Sequence, residues 1–169
     1  MAIRVLGLDP GTLRVGFALL AAKGPRLQLI EAGALTADKR LPYAKRLGAL
    51  YTELCALITR LAPDEAAIEA AFVGVNARSA LKIGEGRGVA LAALTNCGLV
   101  PAEYPPATIK RAVTGKGAAS KQQVARMIAL QLGLHDAPKP EDATDACAVA
   151  LCHIHRCVVG RMQPQAANR

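Results

Sequence analysis

The sequence predicts an α/β fold in which a mixed five-stranded sheet is covered by helices. Three observations carry this reading. Three apolar runs near the N-terminus, separated by short turns, read as an antiparallel meander. A following stretch whose apolar residues recur every three and four positions reads as an amphipathic helix. Beyond it, strand-like and helix-like patterns alternate until the chain closes with three helical stretches.

Ile3 to Asp9 is the first strand, ended by a turn at Pro10-Gly11. Arg14 to Ala21, led by Val15, Phe17 and Leu19, is the second, and Leu27 to Thr36 the third. Leu47, Leu50, Tyr51, Leu54, Ile58 and Leu61 mark the first helix, which Pro63-Asp64 stops. Glu65 to Ala70 is a short fourth strand. Ser79 to Thr95 is rich in Ala and Leu and reads as a helix. Its Gly84, Gly86 and Gly88 are costly there unless something packs close. Leu99 to Tyr104 is the fifth strand, and Pro105-Pro106 opens a short helix containing Lys110 and Arg111. Ser120 followed by Gln123 is a capping-box pattern for a helix reaching Leu132. Glu141 to Cys157 is the last helix. With no internal repeat and no linker, residues 1–160 read as one domain, and the polar tail 161–169 is expected to fray.

A chain of 169 residues can bury a core of its own, and 52% hydrophobic against 20% charged residues excludes a disordered chain. There is no Trp, and the aromatics are Phe17, Tyr43, Tyr51, Phe72 and Tyr104, so Leu, Ala, Val and Ile must build the core. Lys and Arg number 21 against 13 acids, a formal charge of +8 that favours a polyanionic partner. Five cysteines without a C-x-x-C pair do not form a disulfide framework. With no signal-peptide pattern and no apolar run of membrane-spanning length, a cytoplasmic protein is expected.

Four carboxylates stand out. Asp9 closes an apolar strand, and Glu69 lies in the small apolar run Ala66-Ala67-Ile68-Glu69-Ala70. An ionised group at either place is expensive unless positive charge neutralises it. Asp142 and Asp145 are three apart, so they share one face of the last helix. Taken singly, each acid has an ordinary explanation: a salt bridge, an exposed strand end, or first-turn charge opposing the helix dipole. Taken together they form an all-oxygen donor set suited to Mg²⁺ or Mn²⁺. Two such cations about 4 Å apart hydrolyse phosphodiesters, and a basic surface around an acidic pocket suits a nuclease.

Leu6-Gly7-Leu8-Asp9-Pro10-Gly11, Ala67-Ile68-Glu69, Asn76-Ala77-Arg78-Ser79-Ala80-Leu81-Lys82-Ile83-Gly84, Arg87-Gly88-Val89-Ala90 and Asp142-Ala143-Thr144-Asp145-Ala146 resemble the RuvC family of Holliday junction resolvases. The resemblance runs from Ile3 to about His155, with its motifs in the family's order. It implies a ribonuclease H-like nuclease domain, a homodimer, and paired symmetric nicks across a four-way DNA junction in homologous recombination and repair. It implies that Asp9, Glu69, Asp142 and Asp145 are catalytic and bind two divalent cations, Mg²⁺ or Mn²⁺, and that the products carry 5′-phosphate and 3′-hydroxyl ends. It also implies the RuvA–RuvB branch-migration complex as a partner. Some members carry His at the position of Asp142. Phe72 stands where the family has an aromatic that stacks on a base. Lys110 and Lys121 match basic positions near the active site, and Asn76, Arg78 and Lys82 lie in a segment expected to face DNA. Gly84 to Gly88 would admit a partner helix. Ala70 and Ala71 depart from the larger or polar residues of many members.

Cys147, Cys152, Cys157, His153 and His155 lack compact zinc spacing and read as core cysteines and surface histidines. Asp9-Pro10-Gly11-Thr12 also resembles the phosphate loop of actin-like ATPases, but those need two such domains and the chain is too short for both. A catalytically silent junction binder would not need all four acids. A ribonuclease H-like RNA-processing nuclease fits the central Asn-Ala-Arg-Ser-Ala-Leu-Lys segment less well than a resolvase does.

Overall fold

The computed structural model describes residues 2–70 and 77–158, with side chains for 2–70 and 80–156. Strands β1 (Ile3–Asp9), β2 (Arg14–Lys23) and β3 (Arg26–Thr36) precede α1 (Tyr43–Leu61), β4 (Glu65–Glu69) and α2 (Ala77–Asn96). They are followed by β5 (Ala102–Tyr104), α3 (Pro106–Thr114), α4 (Lys121–Leu132) and α5 (Glu141–His153). The sheet has the order β3-β2-β1-β4-β5. β1, β2 and β3 form the antiparallel meander, whereas β4 pairs parallel with both β1 and β5. This is the mixed five-stranded sheet expected from the sequence.

Helices cover both faces. Val5, Ala18 and Leu20 pack with Ile109 of α3, Val124 and Ile128 of α4, and the length of α5. Leu6, Leu8, Phe17 and Leu19 pack with Leu50 and Leu54 of α1 and Ala90 and Leu94 of α2. Coverage on both sides explains why Val15 to Leu20 form a continuous buried run rather than alternating with polar residues. Aliphatic residues dominate the core, as the composition requires; Phe17 and Tyr104 are the buried aromatics among the described residues.

Most boundaries follow local chemistry. Pro63 bars a right-handed helical conformation at the residue before it, so α1 ends with Ala62 at φ 42°. The capping box is formed: Gln123 N–H donates to Ser120 Oγ, and the Gln123 side chain accepts from Ser120 N–H. Two ends differ from expectation. β5 begins at Ala102 rather than Leu99, because Gly98 turns the chain at φ 81° and Pro101 offers no N–H to a ladder. The α-helical part of α5 stops at His153, and Ile154–Val158 continues as a single π-helical turn. The expected tail, 161–169, lies outside the described residues.

His153 is a correction as well: it is buried, not on the surface. Its Nε2 meets the Glu65 carboxylate at 2.6 Å and its Nδ1 meets the Tyr104 hydroxyl at 2.8 Å. The carboxylate accepts, so Nε2 carries the proton and Nδ1 accepts from Tyr104. Both ring nitrogens are thereby satisfied, which is the condition for burying a polar side chain. Cys147 and Cys152 are buried as expected.

Candidate active site

The site is built where parallel pairing ends. β1 and β4 run side by side with Leu8 opposite Ile68, so the next residues, Asp9 and Glu69, finish adjacent strands at the same edge. Asp9 is also opposite Gly16 on β2. α5 crosses this corner closely. A Cβ on Gly7 would lie 2.2 Å from the Ala146 carbonyl oxygen, and one on Gly16 would lie 2.1 Å from the Asp142 carbonyl oxygen. The glycines let the first turns of α5 rest on the strand backbone, which places Asp142 over the Asp9–Gly16 rung.

Charge confirms the grouping. Asp9 is pushed up to about 7, first by burial and then by the negative charges of Asp145, Glu69 and Asp142. Glu69 is raised by burial and Asp145, opposed by Lys110 and Lys121. Asp145 is raised by burial, with Lys121 pulling the other way. The corner is therefore short of positive charge.

Basic side chains supply part of the deficit. Arg14 Nη1 lies 3.1 Å from Asp142 Oδ2. Lys121 Nζ pairs with Glu141 and lies 3.5 Å from Asp145 Oδ2. Among the described residues, no three acidic, His or Cys side chains are drawn together as tightly as ligands around an ion. The donor set nevertheless fits a hard divalent cation: it is all carboxylate oxygen, mutually repelling and partly desolvated.

The structure thus gathers Asp9, Glu69, Asp142 and Asp145 at one corner, with Lys110 and Lys121 beside them. Lys82 is exposed on α2. Phe72 and Asn76 lie outside the described residues, and Arg78 begins α2 with its side chain undescribed. Of the three α2 glycines, Gly86 makes the close approach: a Cβ there would lie 2.7 Å from the Gly11 carbonyl carbon, whereas Gly84 and Gly88 face open space.

Four contributors escape sequence reading. Gly7 and Gly16 carried one local signal, a glycine inside an apolar strand, which marks close backbone approach. Arg14 had none, since its partner is 128 positions away. Arg87 braces β4 from α2: its Nε donates to the Glu69 carbonyl at 3.4 Å, and its guanidinium pairs with Glu103.

Gly16→Ala is expected to destabilise the protein by about 1–3 kcal/mol, because the methyl group must lift the start of α5 off β2. Asp142 should shift with the helix, since its own carbonyl oxygen is the atom the methyl group meets. Gly48→Ala, inside α1 with open space around it, is the control and should be neutral or stabilising by up to ~1 kcal/mol. Urea melts of both variants check this.

A sheet of this order, with acids ending two adjacent parallel strands and a second pair on the helix that crosses them, defines a ribonuclease H-like nuclease. The profile of the crossover junction endodeoxyribonuclease RuvC matches residues 5–153. The chain belongs to the RuvC family, whose members depend on divalent metal. It is 46% identical over 153 residues to the RuvC of Chloroflexus aurantiacus, covering 90% of this chain and 93% of that one. It is 47% identical over 152 residues to the RuvC of Anaeromyxobacter dehalogenans, covering 90% and 80%. The structure of Thermus thermophilus RuvC in complex with a Holliday junction substrate superposes with a TM-score of 0.86 at 31% identity, over 94% of this chain and 96% of that one. Among the described residues, no helix is long and apolar enough to cross a membrane.

Proposed function

We propose that this protein resolves four-way DNA junctions in homologous recombination and repair by paired symmetric nicks, working as a homodimer in the cytoplasm with the RuvA–RuvB complex as partner. The observation that carries the chemistry is Asp9, pushed up to about 7 by burial and by three other carboxylates. In this reading Asp9, Glu69, Asp142 and Asp145 hold two divalent cations, Mg²⁺ or Mn²⁺. Bound there, such ions supply an activated water and charge stabilisation at the leaving oxygen, giving 5′-phosphate and 3′-hydroxyl ends.

The chain's own residues do the rest. Asp9 and Glu69 are rigid ligands because each ends a paired strand in the sheet. Arg87 holds the Glu69 backbone in place. Lys121 Nζ lies 3.5 Å from Asp145 Oδ2, and with that carboxylate engaged by a metal its charge would be free to serve the scissile phosphate. Lys110 adds positive field beside Glu69. In this reading Phe72, Asn76, Arg78 and Lys82 bind the DNA. A partner subunit is supported by α2, where Leu81 is 68% and Ile83 41% exposed beside the open Gly84.

Incubation with labelled four-way junction, linear duplex and structured RNA, in Mg²⁺ or Mn²⁺, tests the reading. Two symmetry-related nicks in the junction are expected. Preferential cutting of RNA, or an intact junction with both metals, would overturn it.

A further inference from the structure

Cys55 and Cys97 have no part in the chemistry above, yet they are brought together. Cys55 sits on α1 with Tyr51 one turn before it and Thr59 one turn after. Cys97 directly follows the last residue of α2, Asn96. The two cysteines are 42 positions apart, and Cys97 Sγ lies 3.9 Å from the Cys55 carbonyl oxygen. Asn96 Nδ2 donates to Cys55 Sγ at 3.9 Å. Thr59 Oγ1 donates to the same Cys55 carbonyl oxygen at 2.9 Å.

This is a different environment from that of the other described cysteines. Cys147 and Cys152 are fully buried, and burial pushes the Cys147 thiol up to about 12, which makes it inert. Cys55 and Cys97 are only partly buried. The Cys97 thiol is raised, by burial first and then by the neighbouring Cys55 sulfur, which disfavours it as the first attacking thiolate.

We propose that Cys55 and Cys97 form a reversible intramolecular disulfide that staples α1 to the C-terminal end of α2. The oxidant class is a small-molecule disulfide such as oxidised glutathione. Cys55 gives its proton to solvent, and its sulfur attacks one sulfur of that disulfide. The sulfur–sulfur bond breaks, one small thiol leaves, and a mixed disulfide remains on Cys55. Cys97 then loses its proton and attacks the Cys55 sulfur, and the second small thiol departs with a proton. Two protein thiols are oxidised to one disulfide, and one small disulfide is reduced to two thiols. The second step is intramolecular and therefore fast, because Cys97 already packs against the Cys55 backbone. In a reducing compartment such a bond is transient and responds to redox state rather than serving as a permanent brace. The staple acts on the helix that also packs Gly86 on Gly11 and Arg87 on Glu69, at the edge of the catalytic corner.

The test uses the full chain, reduced and then incubated with excess oxidised glutathione. Intact mass and non-reducing peptide maps are expected to show loss of two hydrogen atoms and one crosslink joining Cys55 to Cys97, reversed by dithiothreitol. The oxidised protein should melt at a higher temperature than the reduced one, since the crosslink constrains the unfolded chain. Cys97→Ser should instead stop at a glutathione adduct on Cys55. Free thiols at both positions under excess oxidant, adducts without a crosslink in the parent protein, or a crosslink through other cysteines would overturn the proposal.

Discussion

Glu69→Gln is expected to lower junction cleavage by more than roughly 100-fold, while junction binding survives. Losing even a metal ligand's outer partner costs up to about 100-fold, so losing a ligand itself should cost more. Glutamine keeps the size of the side chain and removes only its charge. The carboxylate lies in a partly desolvated corner against Asp145, so its loss also relieves repulsion there. The folded protein should therefore be at least as stable without metal, which separates a ligand from a structural acid. Single-turnover cleavage, gel shifts without metal and a thermal melt together check this. A variant that loses fold and binding with activity would make Glu69 structural.

Asp9→Asn should change how stability depends on pH. In the folded protein without metal, burial and the neighbouring carboxylates push Asp9 up to about 7, against an ordinary 3.8. Between those values the native state holds a proton that the unfolded chain has released. The stabilisation from protonated Asp9 is thus complete below about pH 4 and is lost as pH rises through about 7. One pH unit corresponds to about 1.4 kcal/mol, so the displacement sets an upper bound of ~4 kcal/mol, and partial solvent access reduces it to a few. Without metal the parent should accordingly lose stability relative to Asp9→Asn between pH ~4 and ~7. Adding Mg²⁺ should restore the parent at the higher pH and do far less for the variant, because the ion needs the ionised carboxylate. Melts in chelator and in Mg²⁺ at both pH values measure it. Identical pH dependence in the two proteins would mean that Asp9 does not feel the other acids.

Element types were legible because they rest on neighbours in the chain. The three-and-four spacing of Leu47 to Leu61, the Ser120–Gln123 box and the short turns of the meander each act within a few residues. The shortened β5 was less legible, since it turns on one glycine conformation and one missing N–H. His153 was misread because its partners, Glu65 and Tyr104, come from strands 88 and 49 positions away.

The four carboxylates divide along the same line. Their identity, and the oxygen chemistry it dictates, could be read from strand ends and helical spacing alone. Their meeting could not. It depends on β4 pairing parallel to β1, which sets Asp9 beside Glu69, and on Gly7 and Gly16 letting α5 come down onto the sheet. A glycine acts there through the atoms it lacks, and no periodicity records that. Arg14 and Lys121 become partners of the helix acids only after the chain has closed over 128 and 24 positions. Local patterning was enough to name the acids and the elements that bear them. Only tertiary packing turned isolated carboxylates into one charge-deficient corner, because burial and mutual repulsion arise between residues that the chain itself keeps far apart.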